Sequence, residues 1–385
     1  MPFHCLIMRA TVCAVVTAVY LLAPTAFAQS GRAQSDREKP DPAAVKFWKT
    51  VQATCDATAA KPAGELGQRI AQTAIGEFNR FGGHRVDANG RLFHFGLTEA
   101  EHEEDDGGSR QASLDHLGWW QVMKYWQALY GSEAATKLEA RGYHDASTST
   151  EAAQGAAVLR SSAARLLRAA ESETDPAVRE ILREAALRAA VIDTSWSAAF
   201  VSYVVKEAGV AENAFRFANA HRAYIYDAFA TSAGEVDKAA DGHVYRACPL
   251  SATRPRIGDV ICNQRESALA DLSEEAVRER IRTELAGGTD TRSVRRTHCE
   301  VVAQIDTRAR TMVTIGGNVL QAVTARKLNL RKRSLKLSAV QKGRCAGSDR
   351  WNLTTAASPT LGQTPQAPGK CSLNDKKWFV LLQLR

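Results

Sequence analysis

The segment from Asp193 to Gly209 constrains this chain more than any other. Ala198, Val201, Val205 and Ala208 recur at helical spacing, and Phe200 and Val204 widen the stripe. The spacing predicts a helix that is apolar around much of its surface and is therefore buried. Asp193, Thr194 or Ser195 can accept hydrogen bonds from the first free backbone N–H groups. Gly209 stands where a left-handed residue closes a helix. Small residues at Ser197, Ala198 and Ala199 let a second element approach the first turn closely. A helix of this kind needs packed layers on several sides.

The flanking sequence says what those layers are. Upstream the periodicity is helical: Leu66, Ile70, Ala74 and Phe78 share one face, and a second amphipathic helix is predicted over Leu114–Tyr130 with Trp119, Trp120, Met123 and Trp126. Gly82-Gly83 and Asn89-Gly90 place a turn or hairpin between them. The acidic run Glu101–Asp106 reads as an exposed loop. Residues 131–190 are rich in Ala, Arg and Glu and read as mostly helical, with Asp175-Pro176 opening a helix. Downstream, 260–262, 299–305, 312–315 and 378–384 alternate as strands of an antiparallel sheet. Helices first and strands after them predict an α+β fold. A smaller helical insertion is expected at about 268–288, with its helix from Ser273 to Ala286 stopped by Gly287-Gly288.

The first 28 residues stand apart from this core. Arg9, an apolar run to Ala23 and the Ala26-Phe27-Ala28 pattern read as a cleavable signal peptide. The run is too short for a comfortable membrane span, so no transmembrane segment is expected in the mature chain. The expected organisation is a signal peptide at 1–28, a leader at 29–63 ending in a short helix with Trp48 and Cys55, and one domain at 64–385. A periplasmic or secreted location follows. Cys5 and Cys13 leave with the signal, so six of the eight cysteines remain. Six allow fifteen pairings, but the strand positions of Cys262 and Cys299 suggest a cross-strand pair. Cys345 with Cys371 would close a C-terminal loop, leaving Cys55 with Cys248. No metal-ligand spacing, phosphate-binding glycine loop or dinucleotide fingerprint is present, and no cofactor is expected.

Three further blocks accompany the central helix: Pro255-Arg256-Ile257-Gly258-Asp259-Val260, Thr297-His298-Cys299-Glu300-Val301-Val302 and Ile315-Gly316-Gly317-Asn318-Val319. Together with Trp196-Ser197-Ala198-Ala199-Phe200-Val201 they resemble, in order, the nucleophile helix, Gly-Asp strand, His strand and Gly-Gly-Asn strand of papain-like bacterial cell-wall hydrolases of the NlpC and CHAP type. The serine form, with Cys after both Gly-Asp and His, looks most like the bacterial family 2272 of domains of unknown function. The resemblance spans roughly residues 65–385. It implies a papain-like core of N-terminal helices on an antiparallel sheet, with the segments at 131–190 and 268–288 as insertions. It also maps a nucleophile, base and orienting group onto Ser197, His298 and Asn318. Relatives line the cleft just past the nucleophile helix, which makes His221 and Tyr224, with Trp196 beside Ser197, candidate substrate contacts, although His221 equally suits an exposed surface. Glu300 shares the face of His298 if the strand is regular, where it either tunes the imidazole or faces solvent. Asp259 is expected to hold a turn. Arg295 and Arg296 suit either a substrate carboxylate or an exposed loop.

Serine in place of the expected cysteine matters. A helix N-terminus and a nearby imidazolium can turn a thiol into a thiolate, but a hydroxyl must pass its proton to histidine during attack. Two functions remain open: a hydrolase of wall peptide or amide bonds, and a catalytically inactive wall-binding module on the same fold. Peptidoglycan or a wall peptide is the expected partner of either. The formal net charge of +8 concentrates in the eight Lys and Arg residues between Arg326 and Arg344, a stretch without acids. That stretch reads either as a solvated strand edge or as contact with an anionic surface. Nucleic acid is a poor candidate outside the cytoplasm.

Overall fold

Gly258 lies at φ 88° in the turn before a central strand, and a Cβ built on Gly67 would meet the Ile257 carbonyl oxygen at 2.6 Å. This close approach docks an N-terminal helix onto the sheet, and only glycine permits it. The computed structural model describes residues 41–96, 100, 117–143, 158–239, 242–266, 269, 271–288, 293–338 and 372–385. From Pro42 onward these residues belong to one compact unit, Pro42–Arg385.

The helices are α1 (Pro42–Ala59), α2 (Glu65–Arg80), α3 (Gly118–Tyr130), α4 (Ala134–Lys137), α5 (Ala163–Ala170), α6 (Pro176–Asp193), α7 (Ser197–Glu207), α8 (His221–Val236) and α9 (Glu274–Ala286). The strands are β1 (His84–Val86), β2 (Leu92–His94), β3 (Glu139–Tyr143), β4 (Val158–Ser162), β5 (Tyr245–Cys248), β6 (Val260–Gln264), β7 (Thr297–Asp306), β8 (Thr311–Val319), β9 (Ala322–Asn329) and β10 (Lys377–Leu384). Eight of them form one sheet in the order β2-β1-β9-β8-β7-β6-β10-β5, antiparallel except where β1 runs parallel to β9. The fold is α+β with a large, mostly antiparallel sheet.

The central helix is as apolar as its spacing predicts: Ala198, Ala199, Phe200, Val201, Val204 and Val205 of α7 are all buried. It packs on α2, α3, β7 and β8. Its cap differs from expectation. The residue before the first turn is Trp196, which offers no side-chain cap. Asp193 and Thr194 instead accept from the Arg141 and Glu139 backbone N–H groups of β3. That use of the two side chains exposes a second departure. Residues 131–190, expected to be mostly helical, contain the β3–β4 antiparallel pair. A two-stranded pair set between helices of an Ala- and Arg-rich segment carries too few alternating positions to show against the helical background.

The leader is more structured than expected. Helix α1 runs for 18 residues, and Cys55 joins Cys248 of β5 in a disulfide. Beside it Arg246 bonds to Glu235, Thr58 and Gln383, tying α8, α1 and β10 together. Cys262 and Cys299 face each other directly across β6 and β7 and are bonded, as their strand positions suggest. Cys345, Cys371 and the acidic run Glu101–Asp106 lie outside the described residues. Within the basic stretch Arg326 is 3% exposed on β9 between β8 and β1, whereas Lys327, Arg331, Lys332 and Arg333 are exposed, and Lys342 and Arg344 lie outside the described residues. Ser273 caps α9 as expected.

Asp259 fastens the C-terminal strand. Its carboxylate accepts from the Arg256 N–H at 2.7 Å and the Leu384 N–H at 2.9 Å. Asp259→Ala should strand both buried donors and lower stability by about 2–4 kcal/mol, read by denaturant unfolding. Burial pushes this carboxyl up from 3.8 to about 7. Its stabilising contribution is therefore full below pH 3.8 and is lost as pH rises through about 7, a slope that Asp259→Ala should lack.

Candidate functional site

Two helices begin at one point. Ser197 is the first residue of α7 and His221 the first of α8. The first-turn N–H groups of a helix lack intrahelical partners, so this corner presents donors and partial positive charge. Ser197 Oγ lies 2.7 Å from His221 Nε2. The other ring nitrogen, Nδ1, is hydrogen-bonded to the Tyr224 hydroxyl one helical turn on. Tyr224 is buried and stacks on Phe215 at 5.2 Å, which fixes its ring. With Ser197 donating to Nε2, the proton of a neutral His221 sits on Nδ1 and is donated to Tyr224. This tautomer leaves Nε2 as the acceptor a base requires.

A second imidazole abuts the first. The rings of His221 and His298 are 5.2 Å apart at 72°. His298 Nε2 is buried without a hydrogen-bond partner among the described residues, and Glu300 Oε1 is 3.6 Å away. Glu300 is in turn held by Thr314 Oγ1 at 2.5 Å and by Arg326 Nε at 3.0 and 3.2 Å. Burial pushes the Glu300 carboxyl up, but Arg326, His298 and Thr314 outweigh it and keep the group ionised, below the usual carboxylate range. Both histidines move the other way. Burial, then His298 and Arg265, hold His221 well below 6.5 despite Glu300. Burial also lowers His298, although the Glu300 carboxylate partly offsets it. Both rings are therefore neutral at neutral pH.

The residues expected from sequence are thus brought together in a different arrangement. Ser197 is at the site, but its hydrogen-bond partner is His221 and not His298. Asn318 bonds to neither ring: it has φ 55° at a bulge in β8, where the regular alternation breaks. Trp196 is fully buried, 5.9 Å from the Phe81 ring in a stacked arrangement, so it supports the site from behind and offers no surface to a substrate. His221 and Tyr224, expected as substrate contacts, are buried and hydrogen-bonded to each other, with His221 also bonded to Ser197. Glu300 does face His298, and the alternative of a solvent-facing side chain falls because it is 1% exposed. Arg326 was missed, although an acid and a base embedded in apolar strands signal a buried ion pair. The three-residue spacing of His221 and Tyr224 at a helix start is the other signal that was available. Among the described residues no group of three or more His, Cys, Asp or Glu side chains is placed to hold a metal ion.

The family of uncharacterized proteins conserved in bacteria, DUF2272, matches residues 114–384, and the chain belongs to it. No curated protein and no solved structure gives a match.

The two imidazoles should titrate with midpoints below 6.5 in NMR spectra of the ring protons. Stability tied to the neutral rings is present above pH 6.5 and is lost as pH falls through the depressed folded values. Glu300→Gln removes a carboxylate that raises the His298 value, so that midpoint should fall further.

Proposed function

We propose that this chain is an exported hydrolase with a papain-like core, cleaving peptide or amide bonds of the bacterial wall with Ser197 as nucleophile and His221 as base. The observation that carries the reading is the 2.7 Å Ser197–His221 hydrogen bond at the shared start of two helices. Ser197 Oγ attacks the scissile carbonyl carbon while its proton passes to His221 Nε2. The developing oxyanion lies near the free N–H groups of the first turn of α7. His221 then gives the proton to the leaving nitrogen as the carbon–nitrogen bond breaks, which leaves an acyl ester on Ser197. Water attacks that ester with His221 again taking the proton, and the serine leaves reprotonated. Tyr224 holds the ring tautomer through both halves. His298 and the ionised Glu300 set the electrostatic surroundings of the imidazolium that forms.

Two disulfides fit an oxidising compartment and support export. The wall as substrate rests on the order of the Trp-Ser, Gly-Asp, His and Gly-Gly-Asn blocks. A second reading, a binder without turnover, is favoured by closure: Ser197 is 9% exposed and His221 5%.

Purified peptidoglycan incubated with the protein lacking residues 1–28 separates the two. Wild type should release soluble fragments, and Ser197→Ala or His221→Ala should lower the rate by roughly 10³-fold or more. Ser197→Cys should retain or raise activity, because a thiol needs less help from the base. Silence of both wild type and Ser197→Cys, on peptidoglycan and on simple esters, would leave the binder.

A further inference from the structure

The ladder between β6 and β7 sets Asn263 opposite His298, and it continues one step beyond β6 through the Arg265 N–H to the Arg296 carbonyl at 2.6 Å. Two residues along from Asn263 and two back from His298, Arg265 and Arg296 therefore stand opposite each other. By the alternation of the pleat they share the side on which His298 lies. Like charges in directly opposed positions repel. Both side chains are exposed, and neither has a carboxylate partner among the described residues. The nearest acid in sequence, Glu266, accepts from the Arg296 backbone N–H and does not pair with either guanidinium. The buried or half-buried Arg246, Arg278, Arg282 and Arg326, by contrast, each have a glutamate.

The histidine on that side, His298, is buried, and its Nε2 is turned toward the ionised Glu300 at 3.6 Å. A carboxylate is the ligand that suits two opposed guanidiniums, because its two oxygens match the planar donor forks. We propose that Arg265 and Arg296 form the carboxylate-binding subsite of the Ser197–His221 centre, selecting peptide substrates that carry a free carboxylate near the scissile bond. The proposal rests on the hydrolase reading for the word substrate, but the binding it predicts does not need turnover. Arg265 also lies close enough to both imidazoles to disfavour their protonation, which sets it beside the site from an independent direction.

The test uses Ser197→Ala, so that nothing is consumed, and two probes of equal size: N-acetyl-dialanine and its C-terminal amide. Binding is followed by NMR at the imidazole protons. The acid should bind about tenfold more tightly than the amide, and Arg265→Gln or Arg296→Gln on the same background should erase that preference while leaving amide binding unchanged. Both arginines are exposed, so an unchanged melting temperature is expected and confirms a folded variant. Equal binding of acid and amide, no binding of either, or a preference that survives both substitutions would overturn the proposal. Inactivity of wild type on peptidoglycan with the acid preference intact would remove the hydrolase reading alone and leave an anion-selective peptide site.

Discussion

A single ionised carboxylate, Glu300, holds together the middle of this protein. It is 1% exposed on β7 and is met by Thr314 of β8 and Arg326 of β9. Taking both charges out of water costs several kcal/mol per ion, which only good geometry and further hydrogen bonds offset. Those bonds are present. The Arg326 guanidinium also donates to the Leu373 carbonyl and Asn374 Oδ1, and the Asn374 amide reaches the carbonyls of Asp87 and Lys327. One buried charge thus ties three central strands to the β1–β2 turn and to the segment that leads into β10. His298 sits 3.6 Å from the same carboxylate, so the element that orders the sheet also charges the site.

Two glycines make the arrangement sterically feasible. A Cβ on Gly316 would lie 2.8 Å from Glu300 Cγ and 3.1 Å from His298 Nε2. On Gly317 it would lie 2.6 Å from Phe200 and 2.8 Å from Trp196. Adjacent strand residues point to opposite faces. One glycine therefore admits the charged pair and the other admits the first turn of α7, which makes the Gly-Gly pair a packing requirement on both faces.

Much of the scaffold was legible because it is periodic. Helix α7, the strands β6, β7, β8 and β10 and the Cys262–Cys299 pair follow from spacing that depends on local geometry alone. The failures share a cause: each turned on what a side chain touches far away in sequence. Asp193 and Thr194 look like helix caps but bond to β3, more than fifty residues upstream. Arg326 opens a basic run whose Lys327, Arg331, Lys332 and Arg333 are surface, yet it is itself buried against Glu300. The partner of Ser197 is the sharpest case. Both His221 and His298 occupy defensible positions in sequence, and only the meeting of two helix N-termini decides which of them reaches Ser197.

For the proposed hydrolase, His221 as base raises a physical difficulty. A general base works best with a pKa near the working pH, yet burial, His298 and Arg265 drive His221 well below 6.5. A serine must hand its proton to this ring during attack, and a depressed value opposes that transfer. The groups around the ring indicate what would correct it. His298 is neutral and confined, Tyr224 is a neutral partner, and Glu300 already pulls the His221 value upward from beyond His298. Arg265 is the exposed contributor, and therefore the one that an arriving ligand can neutralise. A carboxylate seated on Arg265 and Arg296 would offset a cation that opposes protonation of His221, so the base would strengthen as the substrate binds. Selection of an anionic substrate and strengthening of the base would then share one arginine, while burial remains the larger influence on His221.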